Sequence, residues 1–307
     1  MAQRMPASAR CLALLAVLCT LCTAEDTAGN STGWRVLWAD EFNNGLNRNK
    51  WRFELGAGCQ YLSDDSEMCG WGNGEQQFYT ANTTNARVNN GVLVIEARKE
   101  ASGRLTSARL KTQGLYAIQP SSQRKTIKVE ARIFLPQGQG LWPAFWMLPA
   151  GNEYQLGAGT YGRWALSGEI DIMESANDMA ELHGTVHFGG MWPQNAYLTK
   201  VIPTPSGSTP FAKNWHVYGI EWENEEIRWY VDGQQYASQV SGKDRGGWFS
   251  MAANAGATAP FDKPFYLVLN LALGGSFPGN TPIDTLDATL AQPKRMLVDY
   301  VRVSGKA

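Results

Sequence analysis

Ser167-Gly168-Glu169-Ile170-Asp171-Ile172-Met173-Glu174-Ser175 places three carboxylates within six residues, interleaved with strongly apolar side chains. Side chains of a regular strand alternate between faces, which would group Glu169 and Asp171 with Met173, and Glu174 with Ile170 and Ile172. Both groupings force charge and hydrocarbon together, which costs desolvation energy. One extra residue near Ile172-Met173, a β-bulge, removes the conflict. Glu169, Asp171 and Glu174 then share one face, and the apolar residues turn towards a core. Three like charges side by side repel one another on a plain surface but are useful in a cleft. Retaining hydrolysis of a glycosidic bond needs two carboxyl groups, one as nucleophile and one as proton donor. A third between them pushes their pKa values apart. The bland alternative is an edge strand with a solvated acidic face; Gly168 and the isoleucines suit a buried strand better.

Outward from this stretch the chain keeps the same character. Thr126 to Leu135 alternates apolar and polar residues, and Val88-Asn89-Asn90-Gly91-Val92-Leu93-Val94 carries an Asn-Gly turn. Trp215 to Trp222 and Ile227 to Val231 flank Glu223-Asn224-Glu225-Glu226 as a hairpin would. Phe265 to Leu273 is almost continuously apolar, as expected of a strand buried on both faces, and Met296 to Val303 reads as a closing strand. No segment shows a long 3.6-residue apolar period, and no linker, repeat or low-complexity block divides the chain. The fold class is all-β, a sandwich or barrel.

Several blocks besides the carboxylate stretch then carry a resemblance. Glu169-Ile170-Asp171-Ile172-Met173-Glu174 resembles the active-site signature of family 16 glycoside hydrolases, in the bulge-containing form of the laminarinase-like (endo-β-1,3-glucanase) branch. Gly70-Trp71-Gly72-Asn73-Gly74-Glu75, Trp142-Pro143-Ala144-Phe145-Trp146-Met147-Leu148-Pro149, His183-Gly184-Thr185-Val186-His187-Phe188 and Asn270-Leu271-Ala272-Leu273-Gly274-Gly275 resemble it too, in the same order, over roughly residues 34–304. The resemblance implies a β-jelly-roll of two curved antiparallel sheets with a concave substrate cleft. It assigns Glu169 as nucleophile, Glu174 as acid/base, and Asp171 as the carboxylate between them. No cofactor is required for that catalysis. A structural calcium on the convex side is also common in the family, and Glu41, the Gly91 carbonyl and Asp299 match the positions that hold it.

Sugars present flat C–H faces to aromatic rings and hydroxyl edges to polar groups. Among twelve tryptophans, Trp142, Trp146 and Trp164 are the expected sugar contacts, mainly through the resemblance. Trp192 is a weaker candidate, and Trp222, Trp229 and Trp248 read as core or surface. The resemblance places His187 beside the acid/base, and Asn73, Glu75 and Arg109 are candidate hydroxyl partners. Three histidines without a second motif do not point to a catalytic zinc site. Phe277, in Ser276-Phe277-Pro278-Gly279, stands where relatives often have Trp.

Arg4 and Arg10 precede a short apolar run, Cys11 to Cys22, and Cys22-Thr23-Ala24 offers small residues for cleavage. Residues 1–24 are expected to be a signal peptide and 25–307 a single catalytic domain, secreted and extracellular, monomeric and free of membrane. The remaining 25 basic and 28 acidic residues leave a small negative charge, with no basic surplus to suggest nucleic acid. Cys59 and Cys69 are then an even pair in an exported chain, expected to form a disulfide; free thiols or a metal pair lack a supporting Cys or His cluster. Asn30-Ser31-Thr32 and Asn82-Thr83-Thr84 are glycosylation sequons. The expected partner is a β-glucan, hydrolysed internally at β-1,3 bonds. The alternatives are a non-catalytic β-1,3-glucan recognition protein, which would be expected to lack the glutamates, and a family 16 hydrolase of mixed-linkage glucan or a galactan.

Overall fold

The computed structural model describes residues 33–59, 69–151, 158–204 and 211–307. The expected signal peptide and the Asn30 sequon lie outside the described residues. Residues 33–307 form one compact unit of two packed sheets.

The first sheet has seven strands in the spatial order Asn195–Pro203, Glu181–Gly189, Glu169–Glu174, Leu141–Pro149, Phe265–Leu273, Arg109–Lys111 and Arg52–Glu54, every neighbouring pair antiparallel. The second has Thr126–Phe134 and Lys294–Lys306 at its centre, flanked on one side by the strands from Trp215 to Val240 and on the other by Val92–Lys99. The all-β jelly-roll expected from the sequence is the fold observed.

Patterning explains each element. Thr126–Phe134 alternates strictly between half-buried and buried residues, its Ile127, Val129, Ala131 and Ile133 filling the space between the sheets. Phe265–Leu273 is buried throughout: Leu267, Leu269 and Leu271 enter that core, while Tyr266 and Val268 pack with Leu148 on the opposite face. Trp215–Trp222 and Glu226–Val231 pair as the expected hairpin, closing at Trp222 and Ile227. Asn90 and Gly91 join Ala86–Asn89 to Val92–Lys99 with both residues at positive φ, the two-residue turn whose twist suits a hairpin. Trp222, Trp229 and Trp248 are wholly buried, whereas Trp192 is exposed. Cys59 and Cys69 form a disulfide.

Candidate active site

The bulge sits where the side-chain conflict demanded it. Asp171 pairs with Trp146 on one side and Thr185 on the other, but Glu174 pairs with Ala144 and His183. Three steps along this strand therefore match two on both neighbours. Ile172 and Met173 are both buried in the core, and Glu169, Asp171 and Glu174 emerge on the opposite face. The displaced backbone is anchored from the other sheet: the buried indole Nε1 of Trp229 donates to the Asp171 carbonyl at 2.8 Å. Gly184 makes room for that ring, since a Cβ there would lie 2.6 Å from Trp229 Cδ1. Gly168, at φ +83°, begins the strand where a Cβ would meet Pro260 and Phe261 at 2.7–2.8 Å.

Each glutamate is held by a tryptophan. Trp164 Nε1 donates to Glu169 Oε2 at 2.9 Å, and Trp142 Nε1 donates to Glu174 Oε1 at 2.9 Å. His187, directly across the ladder from Glu169, turns its Nε2 to 3.8 Å from Glu169 Oε1 and 3.4 Å from Asp171 Oδ2. The second contact is an ion pair without hydrogen-bond alignment, since Asp171 Oδ2 is buried and accepts no hydrogen bond. The His187 ring also lies 5.5 Å from Trp164 and 5.8 Å from Tyr197.

The electrostatics separate the two glutamates. Burial raises Glu169, and the Asp171 charge adds to it; His187, the Trp164 hydrogen bond and Arg109 pull back, leaving it at about 7. Burial and Asp171 raise Glu174 well above the ordinary carboxylate range, against the hydrogen bond from Trp142 and a weaker pull from His187. Glu169 thus has more support for its charge and ionises first, while Glu174 keeps its proton. Burial opposes a charge on His187, but Asp171, Glu169 and Glu174 outweigh it and lift the imidazole to about 9. The result is a proton donor beside a carboxylate, the division that two-carboxyl chemistry requires.

Beyond the glutamates the expected residues divide. Trp146 donates to Asn270 Oδ1 at 2.7 Å and stays half-buried. Asn73 is exposed and donates to Glu75 at 3.2 Å. Glu75 itself is 9% exposed, with its other oxygen taken by Gln77 and Tyr79. Arg109, expected as a hydroxyl partner, is 2% exposed and ion-paired to Glu54 at 2.7 Å. Its guanidinium lies 4.5 Å from the Trp146 ring and 4.7 Å from Trp71. The structure corrects that expectation: Arg109 lies beneath the aromatic surface and fixes the ring that a sugar would meet. Sequence reading also missed Asn270, Glu54 and Tyr197, whereas Phe277, singled out there as standing where relatives often have Trp, stacks on Trp142 at 5.0 Å and lies edge-on to His183 at 4.9 Å. The signal of the first three lay in cross-strand register, which no local pattern carries.

The residues expected to hold calcium do not fit it as they stand. Arg302 donates to both oxygens of Glu41, at 2.7 and 2.8 Å, and Arg132 donates to Asp299 at 2.8 Å. Both carboxylates are neutralised by guanidinium groups.

With this geometry in place, residues 73–255 match the model of "Glycosyl hydrolases family 16". The chain belongs to glycosyl hydrolase family 16. Among curated members, it is 39% identical over 282 residues to the Glucan endo-1,3-beta-glucosidase A1 of Niallia circulans, covering 88% of this chain and 38% of that protein. It is 38% identical over 305 residues to the Beta-glucanase of Rhodothermus marinus, covering 94% and 92%. Among solved structures of the family, the endo-beta-1,3-glucanase of Pyrococcus furiosus superimposes with a TM-score of 0.70 at 40% identity, covering 89% of this chain and 95% of that one. This family 16 glycoside hydrolase thus carries its three carboxylates on a bulged strand, as the signature implied.

Proposed function

We propose that this chain hydrolyses β-1,3-glucan internally, with retention, through a glycosyl-enzyme. The observation that carries the mechanism is the bulge, which brings Glu169, Asp171 and Glu174 onto one face, while the surroundings of Glu169 and Glu174 divide the protonation states of those two. Glu169, ionised and oriented by Trp164 and His187, attacks the anomeric carbon as the C–O bond to the leaving sugar breaks. Glu174 passes its proton to the departing oxygen. It then accepts a proton from the water that attacks the anomeric carbon and frees Glu169. Asp171 draws His187 into place, and its charge raises the pKa of both glutamates. Trp142, Trp146 and Trp164 offer ring faces for the glucose units. The linkage rests on the named activities of the similar proteins, and export rests on the 1–24 leader pattern together with the Cys59–Cys69 bond.

Reducing-sugar release from laminarin, beside lichenan, agarose and carboxymethyl-cellulose, tests this for the wild type and Glu169→Ser. The expected result is preferential release from laminarin, abolished in the variant. Binding of laminarin with no release from any substrate would overturn the catalytic reading, and preferential release from lichenan or agarose would overturn the linkage.

A further inference from the structure

Glu169, Asp171 and His187 form a cluster that the glycosidase chemistry does not exhaust. One oxygen of each carboxylate and one ring nitrogen of His187 all lie within 4.8 Å of one another. His187 Nε2 stands 3.4 Å from Asp171 Oδ2 and 3.8 Å from Glu169 Oε1. An ion bound at about 2.0–2.2 Å from each of three tetrahedrally disposed ligands separates those ligands by roughly 3.4 Å. Two of these atoms already stand at that spacing, and the Glu169 oxygen lies 3.8 Å from the imidazole nitrogen and within 4.8 Å of the Asp171 carboxylate. Trp164 holds Glu169 through Oε2, so Oε1 is the oxygen turned towards the cluster. Asp171 supplies the second observation. Its residue is 2% exposed, yet Oδ2 accepts no hydrogen bond and faces the same point. A buried carboxylate oxygen that faces an imidazole at 3.4 Å without an aligned hydrogen bond is open to a ligand.

We propose that Glu169, Asp171 and His187 bind a divalent transition-metal ion of the zinc type, and that this ion inhibits the enzyme. Inhibition, unlike binding, rests on the reading of Glu169 as nucleophile: the metal takes the oxygen lone pair that attacks the anomeric carbon and fills space the sugar ring needs. One imidazole and two carboxylates favour zinc, cobalt or copper over calcium or magnesium, which prefer all-oxygen shells. His187 Nδ1 has no hydrogen-bond partner, so the ring lacks the outer contact that usually strengthens a metal-binding histidine. Binding is accordingly reversible and weaker than at a structural zinc site.

Calorimetric titration of the full chain with zinc sulfate in a non-chelating buffer tests binding without reference to activity. The expected result is one zinc per chain, displaced by a saturating oligosaccharide, with no heat from calcium at the same concentration. His187→Gln and Asp171→Asn should each weaken zinc at least as much as losing an outer partner does, about 10- to 100-fold. His183→Gln, which alters the histidine on the same strand beside Glu181, should leave it unchanged. Anomalous diffraction at the zinc edge from soaked wild-type crystals locates the ion independently of whether a variant folds. Density between the three named atoms supports the site; zinc at His183 and Glu181, or no zinc anywhere, overturns it. If zinc binds there and hydrolysis persists with the site saturated, the inhibitory role fails while the site stands.

Discussion

Replacing Glu169 with Gln should make the protein more stable, and increasingly so as pH rises. The fold raises the Glu169 pKa from 4.5 to about 7, burial first and Asp171 second. Below the unfolded value both states hold the proton and nothing is lost. Between the two values the native state binds the proton more tightly, so the stability it contributes drains away as pH rises through the folded pKa. Above that, the native state carries a desolvated carboxylate. At about 1.4 kcal/mol per pH unit, the rise corresponds to roughly 3 kcal/mol. The side chain is 17% exposed, and the variant also leaves His187 with one carboxylate fewer, so about 2 kcal/mol is a fair expectation. Gln keeps the shape and an oxygen for the Trp164 donor. Urea unfolding of both proteins at pH values spaced from about 4 to 8 measures the difference, in which titrations shared by the two proteins cancel. At a length near that of this domain, the gain corresponds to a melting rise of about 4–8 °C at the upper pH. A stability difference that stays flat with pH, or a variant that falls behind as pH rises, would refute the claim that the fold disfavours the Glu169 charge.

Three further outcomes follow from the same geometry. Trp229→Phe strips the donor from the bulged Asp171 carbonyl and leaves a buried acceptor unmatched, a loss of about 1–3 kcal/mol by urea unfolding, with kcat falling more than KM changes. An unchanged kcat would separate the bulge from the chemistry. His187→Gln removes the positive charge that holds Glu169 down, so the acid limb of kcat/KM should move to higher pH; a limb that stays in place or moves down would show that His187 does not set the Glu169 charge. Because Glu41 and Asp299 are already paired with Arg302 and Arg132, a chelator should leave the melting midpoint unchanged. A clear fall would restore a calcium site there.

What the sequence determined by itself was everything that local alternation can encode. The period-two pattern of Thr126–Phe134, the unbroken apolar run of Phe265–Leu273 and the Asn90-Gly91 turn each state a strand or a turn in their own residues. The bulge was legible for the same reason: six consecutive side chains could not otherwise be sorted between water and core, and burial is imposed residue by residue. Tertiary structure alone decided the partners. His187 stands across from Glu169 because two strands pair in one register, and Asn270 holds Trp146 from a residue 124 positions away. Arg109 changed from an expected sugar partner to a buried prop because Glu54, itself buried, neutralises it there. The calcium positions ended as ion pairs because Arg302 and Arg132 reach them from the same sheet. Charge and hydrogen bonding are settled by which groups meet, and pairing between distant strands brings together residues that no local stretch of chain contains.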